Sequence, residues 1–185
     1  MSNDGMPSFT VSGSSQPVPL RSPRVFWQYA ATQWRRIFGL NISRIDDLLF
    51  VGGQFHAAQW PQLRALGVRA VLSLQQEHAD EFHGEPPDQA LRLLVPDFHP
   101  PEVEQLREAC AFIREAHAAG LPVMVHCHAG VGRAPLTAAA HLIQQGATTE
   151  QALHRIRLAR PIIALNAIQL ARLLEWERLA RAGDV

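Results

Sequence analysis

Hydrophobic residues recur along this chain in two rhythms, and the switches between them mark its elements. Short apolar runs at 68–74 (VRAVLSL), 91–95 (LRLLV) and 121–125 (LPVMV) are bounded by glycine, proline or polar residues and predict buried strands. Residues 41–53 carry Ile42, Ile45 and then LLFVGG, which predicts two short strands around the Asp46-Asp47 turn. Helical spacing appears at 57–66, where Trp60-Pro61 suits a first turn and Gly67 closes the element. It returns at 102–119, with Val103, Leu106, Cys110 and Ile113 on one face and Gly120 as the stop. A further helix follows over 136–145, ended by Gly146. Thr148 and Gln151 have the spacing of a capping box for a helix that Pro161 stops. The last helix is predicted over 164–182, with Leu165, Ile168, Leu173 and Trp176 offered to the core. The stretch 77–89 is polar, contains Pro86-Pro87 and predicts a long loop, and 96–101 (PDFHPP) predicts a rigid one. Strands alternating with helices, and closing in several helices, predict an α/β fold with a mainly parallel central sheet flanked by helices.

The N-terminal part differs. Residues 1–23 are rich in Ser, Gly and Pro and lack periodicity, which predicts a disordered tail. Residues 24–40 predict an amphipathic helix: Phe26, Ala30, Trp34, Ile37 and Phe38 share a face, and the charges are Arg24, Arg35 and Arg36. Two readings of it stay open. It packs on the catalytic domain expected over 41–185, or 25–38 makes a peripheral contact with an anionic membrane.

Composition narrows the function classes. At 185 residues, 47% hydrophobic and 18% charged, the chain has the material for one core. Its zero formal net charge provides no overall basic field for nucleic acid. No apolar run reaches the roughly 18 residues of a membrane span, and the N-terminus lacks a secretory pattern. Two cysteines, Cys110 and Cys127, make no disulfide framework, and Cys110 reads as a small core residue. A reactive Cys127 calls for a reducing compartment, so the expected location is the cytoplasm. The nine histidines are scattered, so no metal or other cofactor is expected.

The chemistry concentrates in 123–133, VMVHCHAGVGR. A strand ends at Val125, Cys127 follows, Gly130 and Gly132 allow a tight loop, and Arg133 stands where a helix begins. Inward-turned loop amides and a helix start suit a phosphate, and the Arg fork can grip two of its oxygens. The same field favours the thiolate of Cys127, the nucleophilic form. His128, Ala129, Gly130, Val131, Gly132 and Arg133 are therefore the expected substrate-binding residues, with Cys127 as nucleophile and phosphocysteine as intermediate. Expelling the leaving group needs a general acid, for which Asp97 stands at a strand end in a proline-stiffened loop.

The spelling His126-Cys127-x-x-Gly130-x-x-Arg133 resembles the active-site loop of the cysteine-dependent protein tyrosine phosphatase superfamily, nearest its small dual-specificity phosphatases. The resemblance extends from about Asn41 to the C-terminus. It implies that Asp97 is the general acid, since that family carries its acid at about this distance before the nucleophile. His126 is expected to supply hydrogen bonds that fix the loop, though a satisfied core histidine is also compatible with the sequence. Arg160-Pro161 followed by Asn166 and Gln169 matches a family pattern, which implies that these two amides brace the site or touch the hydrolytic water. One departure stands out. The family usually places Ser or Thr straight after the loop Arg, and Ala134-Pro135 stands there instead. That puts fast hydrolysis of the phosphoenzyme in doubt. The single tyrosine, Tyr29, lies far from these motifs, so a shallow cleft rimmed by Phe98, His99 and His128 is expected. The implied activity is a phosphatase acting on phosphorylated protein or a small phosphomonoester. Two alternatives are a lipid phosphatase acting on phosphoinositide or phosphatidylglycerophosphate at a membrane, and a low-turnover phosphate-binding module.

Overall fold

A computed structural model describes residues 39–185; the predicted tail over 1–23 and the amphipathic stretch over 25–38 lie outside the described residues. The strands are β1 (Ile42–Arg44), β2 (Leu49–Gly52), β3 (Ala70–Gln75), β4 (Gln89–Val95) and β5 (Val123–His126). A single 3-10 turn over Ala57–Gln59 runs into α1 (Trp60–Ala65). The remaining helices are α2 (Val103–Ala118), α3 (Arg133–Gln144), α4 (Thr149–Ala159) and α5 (Ala167–Ala182). The sheet order is β1-β2-β5-β3-β4, with β1 antiparallel to β2 and all other neighbours parallel. This is the mainly parallel α/β sheet that the alternation of elements predicts.

β5 occupies the centre. Val123 pairs with Leu49 on one side and Ala70 on the other, and His126 pairs with Gly52 and Ser73. Alternation along the strand divides its side chains between two cores. Val123, Val125 and the following Cys127 face the larger core, built with residues of α2, α3, α4 and α5. Met124 faces the smaller one, with Phe50, Phe55, Trp60, Leu63, Val68 and Val71.

Helix α3 is buried along Arg133 to Ile143. Alanines at 134, 138, 139 and 140 keep it thin enough to sit against the sheet, and the Trp176 indole N–H donates to Ala140 O at 3.0 Å. Pro135 falls in its first turn, where a backbone N–H has no partner within the helix.

Three expectations change in detail. Helix α5 begins at Ala167 rather than at 164, because Asn166 adopts an extended conformation and caps it, accepting the Gln169 N–H. Ile168 is 52% exposed and lies outside the core, while Leu173 and Trp176 are fully buried. Residues 76–88 do form a long connection, but a closely tied one. The Trp60 indole N–H donates to Glu85 O at 2.6 Å, Arg64 donates to Pro86 O at 2.8 Å, and the Phe82 ring packs 4.9 Å from Trp60.

Candidate active site

The functional candidates gather outside the carboxyl ends of the parallel strands, where open α/β sheets bind ligands. β5 delivers His126 and Cys127, and the chain turns through 128–132 directly into α3 at Arg133. Gly130 has φ 70°, a conformation that L side chains rarely adopt, and a Cβ there would also collide with Gly52 O and the Arg160 guanidinium.

The loop carbonyls are held on its outer side. Arg160, only 2% exposed, donates from Nε to Gly130 O at 2.6 Å and from Nη2 to Ala129 O at 3.2 Å. Asn41 donates to Ala129 O at 3.2 Å and accepts from Arg160 Nη2 at 2.7 Å. The Gln54 N–H donates to His128 O at 2.9 Å. With those carbonyls turned away, the Gly130 N–H faces Cys127 and donates to its Sγ at 3.3 Å. Cys127 itself is 3% exposed.

Arg133 is 1% exposed, so its charge requires partners in place. Nη1 donates to Leu74 O, Val95 O and both carboxylate oxygens of Glu77, at 2.7 to 3.2 Å. Nε and Nη2 have no hydrogen-bond partner. The Asp97 carboxylate lies 2.9 Å from Nη2, at ion-pair distance but without hydrogen-bond geometry. Burial pushes the Glu77 carboxyl up, but hydrogen bonds from its own backbone N–H and from Arg133, with the Arg133 charge, hold it below its usual value.

A pocket of about 330 Å³ opens over Cys127 and Arg133, walled by Asp97, Phe98, Val131 and Leu165 among others. Asp97 is half-exposed, and its Oδ1 accepts the Phe98 N–H at 3.0 Å. Phe98 has φ 61°, unusual for a residue with a Cβ, and its side chain is 73% exposed. Asn166 Nδ2 donates to Phe98 O at 2.7 Å and Gln169 Nε2 to His99 O at 3.4 Å. The two amides therefore tie the first turn of α5 to the loop that carries Asp97, and both line the pocket.

Of the expected substrate-binding residues, Ala129, Val131, Gly132 and Arg133 line the pocket, while Gly130 lies behind it with its N–H on Cys127 Sγ. His128 does not line it. Its ring is exposed and turned to Gln54, with Nδ1 3.0 Å from Gln54 Oε1, because the hydrogen bond between the Gln54 N–H and His128 O fixes that edge of the loop. His99 likewise stays off the wall, its Nδ1 being 2.9 Å from Asp97 O. His126 is fully buried, with Nε2 2.8 Å from Asp80 Oδ2 and its ring 5.2 Å from Phe55. Ala134 is buried, and the next hydroxyl along α3, Thr137 Oγ1, is committed to Arg133 O at 3.0 Å. Glu77, Asp80, Asn41 and Arg160 are the contributors that the sequence does not point to. All four act across long chain separations, and only the family pattern that begins at Arg160 hints at one of them.

The family model described as "Dual specificity phosphatase, catalytic domain" matches residues 49–179. The chain belongs to this family. Dual specificity phosphatases are cysteine-based protein phosphatases, which agrees with the loop spelling and with the mainly parallel sheet. Human dual specificity protein phosphatase 12 is 33% identical over 130 residues, which is 68% of this chain and 38% of that protein. Dual specificity protein phosphatase 1 of Mus musculus is 29% identical over 135 residues, 72% of this chain and 36% of that protein. The chain thus spans under two fifths of the length of these relatives. Among solved structures, PTPMT1 in complex with PI(5)P superposes with a TM-score of 0.70 at 25% identity, covering 78% of this chain and 99% of that one. A mouse putative dual specificity phosphatase complexed with zinc tungstate gives 0.71 at 23% identity, over 77% and 90% of the two chains, and shows the same fold. The dual specificity phosphatase domain match ends within α5, and it takes in the strands β2 to β5 and the whole loop 127–133.

Proposed function

We propose that this protein hydrolyses phosphomonoesters on phosphorylated proteins through a phosphocysteine intermediate. The observation that carries the reading is the Arg133 fork: a buried guanidinium with Nη1 saturated by protein acceptors and Nε and Nη2 left without hydrogen-bond partners at the pocket that also holds Cys127. A phosphate takes that edge in a two-pronged contact. Its oxygen at Nη2 displaces the Asp97 carboxyl, which then stands beside the ester oxygen. The Cys127 thiolate attacks phosphorus, the P–O bond breaks, and the leaving oxygen takes the proton of Asp97. Arg133 and the loop amides hold the charge on the equatorial oxygens. In the second step Asp97 takes a proton from water, the water oxygen bonds to phosphorus and the S–P bond breaks, which returns the thiolate and releases phosphate.

A chromogenic aryl phosphate tests this directly. The wild-type protein should release phenol catalytically, and Cys127→Ser should abolish turnover while keeping affinity for inorganic phosphate. Turnover by Cys127→Ser at the wild-type rate would remove Cys127 from its role.

A phosphoinositide or phosphatidylglycerophosphate at a membrane is the second reading. It is favoured by the apolar Phe98 and Ile168 exposed near the pocket, by the basic aromatic stretch 25–38 as a peripheral membrane contact of a cytoplasmic protein, and by the likeness to PTPMT1 in complex with PI(5)P. Rates on phosphopeptides and on vesicles carrying each lipid, measured side by side, decide between the two.

A further inference from the structure

Helix α2 turns Glu104, Arg107, Glu108, Arg114 and Glu115 to solvent, as an amphipathic surface helix does. Helix α5 does not. Its core side holds Gln169, Leu173 and Trp176. Its opposite side begins with Ala167, Leu170, Ala171 and Leu174, at the i, i+3, i+4, i+7 spacing of a buried stripe. All four are exposed, Leu170 by 39% and Leu174 by 48%. A helix that is apolar on both sides calls for a cover on both. Over the last two turns the same stripe continues into Arg178 and Arg181. The acidic residues of α5 lie off it, and Glu175 and Glu177 are held in ion pairs with Arg172 and Arg181.

The apolar half of the stripe is the half nearest the pocket. Ile168 is exposed on its flank, and Asn166 ties the helix start to Phe98 O at 2.7 Å. Phe98, at its unusual φ of 61°, is held with its ring out in solvent, a conformation kept against its own strain. The neighbouring carboxylates of Asp97 and Glu102 are engaged by Arg133 and Arg172. One side of the pocket mouth is therefore apolar, exposed and without an unpaired acid.

We infer that Phe98, Ile168, Leu170 and Leu174 form a surface that docks on an anionic lipid bilayer, with the pocket mouth against the lipid and Arg178 and Arg181 among the headgroups. The charge of the stripe selects this occupant, because an apolar strip ending in arginines complements an anionic interface. A second copy of the chain fits less well: four side chains fall well short of the about 800 Å² per partner that a stable dimer buries. The chain's own 25–38 stretch has Arg35 and Arg36 as its only charges, of the same sign as the stripe, so the two suit one common anionic surface better than each other. The inference rests on the reading of the pocket as the phosphate site for its orientation alone, and it applies to a phosphoprotein or a lipid substrate alike.

The full chain, mixed with vesicles of phosphatidylcholine with and without phosphatidylglycerol, provides the test, with the bound fraction read by flotation. The wild-type protein should bind the vesicles that contain phosphatidylglycerol and bind them less at high salt. Leu170→Gln combined with Leu174→Gln should weaken that binding about tenfold. Phe98→Ser, read by flotation alone, should weaken it about fivefold. Arg178→Gln should weaken binding to the anionic vesicles about fivefold and leave phosphatidylcholine vesicles unaffected. Thermal midpoints report folding, and turnover of a soluble aryl phosphate by the Leu170/Leu174 and Arg178 variants should stay within about twofold of wild type. Unchanged binding in the Leu170/Leu174 variant overturns the inference and leaves 25–38 as the membrane contact. Equal binding to both kinds of vesicle overturns it too. So does a concentration-dependent dimer in solution that the Leu170/Leu174 variant abolishes, since the occupant is then a second copy. If that variant fails to fold, Phe98→Ser and Arg178→Gln still decide. Flotation requires no catalysis, so absent turnover on aryl phosphate would reject the proposed hydrolysis and leave the docking surface to be judged separately.

Discussion

Two side chains, Asp97 at the pocket and Ala134 buried behind Arg133, carry opposite kinds of information, one by what it has and one by what it lacks. Asp97 has a carboxyl within reach of the Arg133 edge where phosphate is proposed to bind. A poor leaving group needs its proton and a good one does not. Asp97→Asn should therefore cut hydrolysis of alkyl phosphates by roughly a hundredfold or more, while an activated aryl phosphate loses far less. Equal losses on both, in steady-state rates, would exclude general-acid action. Ala134 lacks the hydroxyl that usually follows the loop Arg, and Thr137 cannot replace it because its Oγ1 is bound to Arg133 O. The departing sulfur keeps the Gly130 N–H but has one donor fewer. A donor to an anion contributes roughly 1.5–3 kcal/mol, and each 1.4 kcal/mol is about tenfold in rate. Phosphocysteine hydrolysis should then be the slow step. Rapid mixing with an aryl phosphate should give a burst of phenol followed by a slower steady rate, and Ala134→Ser should raise the steady rate and shrink the burst. A linear time course with no gain in the variant would show that another step limits turnover.

At the scale of the element, α5 joins two tasks in one turn. Asn166 and Gln169 make a reciprocal capping box, and the same two side chains hold the Phe98 and His99 carbonyls of the loop that carries Asp97. Asn166→Ala removes its half of each task, the acceptor for the Gln169 N–H and the donor to Phe98 O. It should cost about 1 kcal/mol of stability as a lost cap, read from the urea midpoint. It should also lower turnover of alkyl phosphates more than of aryl phosphates, because Asp97 loses its support. A stability loss without that change in ratio would leave Asn166 as a cap only. Element identities were legible in the sequence wherever a local rule applies. The Thr148 cap, Pro161 as a stop and the apolar run of β5 needed no knowledge of the rest of the chain, whereas the cap at Asn166 was missed and the last helix was started at 164. Ile168 was misread because helical spacing places it with Leu165, while the start of α5 at Ala167 turns it to solvent. The contacts of Glu77 and Asp80 were illegible for a different reason. Asp80 and His126 are far apart in sequence, and nothing local marks a polar loop residue as the partner of a buried histidine. The strand, glycines and Arg133 were readable because the proposed phosphate site draws its loop from one contiguous segment.

At the scale of the whole molecule, a buried histidine and a half-buried neighbour bear on how stability depends on pH. His117 of α2 and His141 of α3 stack edge to face with centroids 5.1 Å apart. Burial lowers the His141 pKa from 6.5 to about 4, with the His117 and Arg114 charges adding to the effect and Asp46 opposing it. His117 is also lowered, chiefly by burial, against the Leu48 carbonyl that it contacts and the charge of Asp46. The unfolded chain therefore binds more protons than the folded one below about 6.5. Stability should be full above that pH and fall as pH drops towards about 4, by up to roughly 3 kcal/mol from His141. Thermal midpoints measured across this window should show the decline, and a His141→Gln variant should flatten it. An unchanged slope would place the acid sensitivity elsewhere.

The close approach of the Gly130 backbone to Gly52 and Arg160 has a consequence for how this protein can change. Behind the loop the Gly52 main chain and the Arg160 guanidinium press on Gly130, so no Cβ can be added there without moving the loop. Phe98, Val131, Ala164 and Leu165 on the sides are under no such constraint. New substrates can be reached by altering those walls while the phosphorus chemistry beneath them is inherited intact, which makes diversification of specificity cheap and diversification of reaction type expensive.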